Sequence, residues 1–299
     1  MNPIPPTLFA RTIFQCLALE EASFLIDMQY EGDYGRNDDG RMHVNIPEAI
    51  PVLFPYLRIL DLRVCHIPTG RFQPHLLSRT WMDISNVMSN MELPMLNTLA
   101  WVSETLRVPI PLSNIIYPHV HTLSAIRSLD LIRVIFKTPA EVATLLAACP
   151  ILEDIMLFPA KPKGHGHDMT PAAVLHECAT ARLPALSNFS ALFYTRNERE
   201  VKPIVKAFAD LLRIWSEYHC PNHTDAHFGL LFCNGDKWGP FDRNGAEREM
   251  QSLHNQFAVV GGGYRTGDGD LELSFDLSMG VFPEIGVGEI VYFDPLRLS

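Results

Sequence analysis

The chain has 299 residues, 34 acidic against 24 basic, for a formal net charge of −10, and 47% of it is apolar. That composition is globular, with enough apolar material for a sizeable core. The absence of any Lys/Arg cluster beyond pairs argues against nucleic acid as a partner, and no apolar run approaches the roughly 18 residues that a membrane span requires.

The amino terminus, Met1-Asn2-Pro3-Ile4-Pro5-Pro6, has neither a basic n-region nor an apolar h-region. An intracellular location, cytoplasmic or nuclear, is expected. Six cysteines at wide intervals (Cys16, Cys65, Cys149, Cys178, Cys220 and Cys233) do not form a disulfide framework and are expected to be reduced thiols. Residues 31–41 are rich in Gly and Asp with almost nothing to bury, the composition of a surface loop.

A pattern Pro-x-Leu-x-x-Leu-x-Leu then recurs. It is complete in spacing at Pro55-Tyr56-Leu57-Arg58-Ile59-Leu60-Asp61-Leu62 and at Pro150-Ile151-Leu152-Glu153-Asp154-Ile155-Met156-Leu157. Looser copies stand at Pro94-Met95-Leu96-Asn97-Thr98-Leu99-Ala100-Trp101, at Ile126-Arg127-Ser128-Leu129-Asp130-Leu131 and at Pro184-Ala185-Leu186-Ser187-Asn188-Phe189. Leu60 and Leu62, two apart, fall on one side of a strand, while Leu57 closes the core behind the preceding turn. One such strand cannot bury its face alone, so the pattern has meaning only because it recurs. With the first apolar position as ruler, the copies fall at 57, 96, 126, 152 and 186, separations of 39, 30, 26 and 34 residues. Leucine-rich repeats run about 20–29 residues, so insertions between copies are required.

The best unit runs from 126 to 157. A strand over 128–136 ends at Thr138-Pro139-Ala140-Glu141, a capping box that starts a helix with Val142, Leu145 and Leu146 as its apolar stripe, and Pro150 stops it. Thr170-Pro171 repeats the device before a second helix, which leads through Pro184 to a strand over 186–194. Val201, Ile204, Val205, Phe208, Leu211, Leu212 and Trp215 then keep helical spacing for nearly five turns. Beyond His227 the spacing predicts a strand over 228–233, a helix over 246–257 and a strictly alternating strand over 271–277, with Gly-rich turns at 261–263 and 267–270. The expected fold is therefore α/β: an irregular leucine-rich-repeat solenoid of strand–helix units over 1–219, with 220–299 as a terminal capping region of the same body or a small α+β domain.

Residues 57–63, residues 126–131, and Cys149-Pro150-Ile151-Leu152-Glu153-Asp154-Ile155-Met156-Leu157 after a helix resemble the leucine-rich regions of fungal, basidiomycete-type F-box-like proteins, over roughly residues 10–195. In that family an amino-terminal F-box binds the adaptor of a cullin-based ubiquitin ligase and the repeats hold the degradation substrate. The resemblance thus implies substrate recognition for a ubiquitin ligase, without catalysis by this chain. An F-box opens with Leu-Pro and an apolar Ile-Phe pair in a three-helix module. Here only Pro6-Thr7-Leu8 to Ile13-Phe14 matches that opening, so the F-box is missing or strongly diverged.

Among chemistry-bearing groups, the densest is His219-Cys220-Pro221-Asn222-His223-Thr224-Asp225-Ala226-His227 with Cys233 beyond. Cys220, His223, His227 and Cys233 could supply tetrahedral ligands to zinc, either as a zinc-binding module or in a metal-dependent enzyme. The plainer account of the stretch is a polar turn between helix and strand, since the spacing matches no standard finger. His165-Gly166-His167-Asp168 lies in a Lys/Gly/Pro loop, which holds ligands poorly. Gly261-Gly262-Gly263 lacks the ending of a phosphate loop, and Asp268-Gly269-Asp270 lacks the spaced carboxylates of a calcium loop. No nucleophile elbow and no His-Glu-x-x-His helix occurs. The expected function is a non-enzymatic protein-binding scaffold with a protein partner, no cofactor and no catalytic residue assigned. The charge of −10 favours partners with a basic patch.

Overall fold

The computed structural model describes residues 2–27, 51–65, 84–104, 110–113, 123–160, 169–181, 183–195, 198–218 and 227–234. In chain order these hold α1 (Pro6–Gln15), β1 (Glu21–Asp27), β2 (Val52–Leu53), β3 (Ile59–Cys65), a helical stretch over 84–89, β4 (Met91–Glu92), β5 (Thr98–Ser103) and β6 (Ile110–Pro111). After a 3-10 turn at Leu123–Ala125 come β7 (Ser128–Ile135), α2 (Pro139–Ala148), β8 (Asp154–Pro159), α3 (Pro171–Thr180), β9 (Asn188–Thr195), α4 (Glu198–Tyr218) and β10 (His227–Asn234).

The main sheet has the order β1-β3-β5-β7-β8-β9-β10, with β6 also paired to β7. Every pairing in it is parallel. The strands follow one another monotonically across an open sheet, and because neighbours are parallel each connection must carry the chain back to the same end of the sheet before the next strand begins. A second, two-stranded parallel pair, β2 with β4, lies just ahead of β3 and β5 in sequence.

The leucine pattern explains the sheet. Phe54, Leu57, Leu60 and Leu62 are buried, and so are their counterparts Leu93, Leu96, Leu99 and Trp101; Leu123, Ile126, Leu129 and Leu131; Cys149, Leu152, Ile155 and Leu157; Leu183, Leu186, Phe189 and Ala191. Strand register aligns these positions as rows: Leu60 faces Leu99, which faces Leu129, then Ile155, then Phe189. Each row is a continuous apolar ladder, and each fully buried side chain in it contributes about 1.5–3 kcal/mol by leaving water.

The turns before the strands repeat as closely as the strands. Leu96, Ile126, Leu152 and Leu186 each donate a backbone bond to the residue three earlier, at 3.2, 3.0, 3.2 and 3.3 Å. Each unit also hangs on the one before it through a shared carbonyl. The Arg58 oxygen accepts from the N–H groups of Asn97 and Thr98, Asn97 from Arg127 and Ser128, Arg127 from Glu153 and Asp154, and Glu153 from Ser187 and Asn188, all at 2.7–3.0 Å.

The same turn and carbonyl pattern starts one strand earlier than the leucines indicate. Leu19 donates to Cys16 at 3.2 Å in the same turn, the Glu20 oxygen accepts from Arg58 and Ile59, and Ala22 faces Leu60 in β1. The Pro6–Phe14 segment is thus α1, whose Phe9 meets Phe24 of β1 edge-on at 4.9 Å. Its described continuation is a strand of the sheet, not two further helices. Ile4 pairs with Ile26 on the outer edge of β1.

The helices start where their caps predict. The Thr138 hydroxyl accepts from Glu141 N at 3.3 Å and the Thr170 hydroxyl from Ala173 N at 3.2 Å, each followed by Pro at the first helical position. The Glu141 carboxylate reaches back to Lys137 N at 2.9 Å. Val142, Leu145 and Leu146 are buried as expected, and α2, α3 and α4 pack in succession. On α4, Ile204, Val205, Phe208, Leu211 and Leu212 form the buried stripe, with the Phe208 ring 6.0 Å from that of Phe189. Since β10 pairs with β9 along its whole length, residues 227–234 belong to the same sheet as the units before position 220. The expected elements over 246–257 and 271–277, and the loop over 31–41, lie outside the described residues.

Candidate functional site

Alternation along the strands puts every second side chain on the face opposite the leucine ladders. One row of that face reads Ser23, Asp61, Ala100, Asp130, Met156 and Ser190, one residue from each successive strand. The flanking rows carry Ile59, Thr98, Ser128, Asp154 and Asn188 on one side and Leu25, Arg63, Val102, Ile132 and Phe158 on the other. Asp61 and Asp130 stand two strands apart, about 10 Å between Cα atoms, with only the methyl group of Ala100 between them.

The carboxylates are unequal. Oδ2 of Asp61 accepts from the Ser23 hydroxyl at 3.0 Å and from Arg63 Nε at 2.8 Å, while its Oδ1 is buried with no hydrogen-bond partner among the described residues. Burial pushes the Asp130 carboxyl up to about 6, with the charges of Asp61 and Asp154 adding to the rise and that of Arg63 opposing it. The Asp154 carboxylate accepts from the Asn188 amide, and Arg127 pairs with Glu153 nearer the turn edge. Chemically, this is a cluster of three carboxylates in two adjacent rows, of which Asp130 is the one that burial makes easier to protonate.

At the other end of β7 the ladder is broken. β5 pairs with β7 as far as Val102 and Ile132, and β6 resumes at Ile110 and Val134. Arg133 is the extra residue of a bulge there, at φ 60° and 8% exposed. The bulge resets the alternation so that Val134 and Phe136 face the core, as Leu129 and Leu131 do. The Arg133 guanidinium lies 5.7 Å over the Phe158 ring and donates through Nη1 to the Ser103 carbonyl at 3.1 Å, where β5 ends.

The four residues weighed for zinc do not converge as a set. Cys220 and His223 lie outside the described residues, and His227 and Cys233 both stand on β10. Six residues of extended strand put their Cα atoms about 20 Å apart. That exceeds the span of a histidine and a cysteine joined through one zinc ion with bonds of about 2.0–2.3 Å. His165, His167 and Asp168, the glycines at 261–263 and the 268–270 turn also lie outside the described residues. Among the described residues no group of three His, Cys, Asp or Glu side chains is placed to hold a metal ion.

Cys65, Cys149 and Cys178 are free, buried thiols, each pushed up to about 12 chiefly by burial. Such thiols have negligible thiolate at neutral pH and are poor nucleophiles. No helix among the described residues is long and apolar enough to cross a membrane.

The aspartate row was open to inspection in the sequence, since Leu-Asp-Leu occurs at 60–62 and again at 129–131 in the same repeat position. Attention to the leucines passes over what stands between them. The chain matches no protein-family model and no curated protein.

Proposed function

We propose that the chain is an irregular leucine-rich-repeat solenoid and acts as a non-enzymatic protein-binding scaffold, the substrate-recognition part of an F-box-type ubiquitin-ligase receptor. The observation that carries this reading is the carbonyl stack from Glu20 to Glu153, by which each unit adds one strand in fixed register to a common face. Repetition of this kind builds an extended surface whose composition varies strand by strand while its frame does not, the property that repeat proteins use to hold other proteins. The rows through Asp61, Asp130 and Phe158 are the contact surface in this account.

The two halves of the proposal separate experimentally. For adaptor binding, the purified full chain is titrated with the purified cullin adaptor, beside a Leu8→Glu variant altered on the exposed side of α1. Saturable binding lost in the variant supports a receptor. No binding removes the ligase role and leaves the scaffold. For the scaffold, a photocrosslinker is placed at Met156 or Ser190 on the sheet face, or at Lys206 on α4, and the partner is sought in a fungal lysate. Crosslinks from the sheet positions alone support the assignment, and crosslinks from Lys206 alone overturn it.

A further inference from the structure

We draw no further inference here: the strongest candidate, the carboxylate cluster of Asp61, Asp130 and Asp154 on the second face of the sheet, is an acidic cluster with no second observation beside it that points to a ligand.

Discussion

The Arg133 guanidinium donates to the Ser103 carbonyl across the point where β5 leaves β7. Arg133 stands at φ 60°, a conformation that costs a residue with a Cβ about 1–2 kcal/mol. Arg133→Ala keeps the strain and loses a bond from a charged donor, so urea unfolding should show a loss of about 1.5–3 kcal/mol. Arg133→Gly loses the same bond but relieves the strain, and should be about 1 kcal/mol more stable than the alanine variant. An alanine variant as stable as the glycine variant would show that the backbone there is not left-handed.

Asp130 makes stability depend on pH in an unusual direction for a carboxylate. Burial raises its folded pKa to about 6, above the 3.8 usual for an aspartate, so between these values the native state binds more protons than the unfolded one. The native state is therefore favoured below pH 4, and that advantage fades as pH rises through 6. Asp130→Asn, which never carries the charge, should be more stable than the parent at pH 7.5, by about 3 kcal/mol. The gap should close near pH 4. Chemical denaturation at the two pH values measures it, and an equal gap at both would remove Asp130 as the titrating group.

The ladder residues and the turn residues differ in what they hold up. Leu129→Ala, in the middle of its row, should cost about 2–5 kcal/mol, because neighbours on both sides leave the cavity little room to collapse. Tyr56, 58% exposed at the variable position of its repeat, should change stability by no more than about 0.5 kcal/mol when cut to Ala. Thermal unfolding of both variants tests the contrast.

The two Thr-Pro helix starts offer a matched pair. Thr138→Ala and Thr170→Ala each remove one side-chain acceptor from a helix amino terminus and should each cost about 1 kcal/mol. Thr138 belongs to a capping box with Glu141, so Glu141→Ala should weaken α2 further by releasing Lys137 N. Equal stability of Glu141→Ala and the parent would show that this back-bond contributes nothing.

Much of the architecture was legible because it rests on local chemistry. Thr-Pro caps mark α2 and α3, and the spacing of Leu57, Leu60 and Leu62 is sufficient to orient β3. The first unit escaped because Ala22 stands where the other copies carry Leu, Ile or Phe, and no proline precedes Leu19. The bulge escaped for a related reason. Leu129 and Leu131 are odd-numbered while Val134 and Phe136 are even, a change of parity that a single strand over 128–136 smooths away. The aspartate row depends on which strands become neighbours. Asp61 and Asp130 are far apart along the chain and meet only through pairing with β5.

The carbonyl stack also decides which changes of length the chain tolerates. Each unit takes its alignment from the carbonyl of the unit before it, through the N–H groups at the very start of its own strand, so the register is set there and not by the length of the intervening connection. Spacings as different as 39 and 26 residues therefore end in the same rows. A connection can therefore differ in length from its neighbours with the sheet left in step, provided that the buried faces of helices such as α2 and α3 are kept. A single residue inserted between Leu57 and Leu60 would instead exchange the two faces of β3, turning leucines outward and aspartate inward.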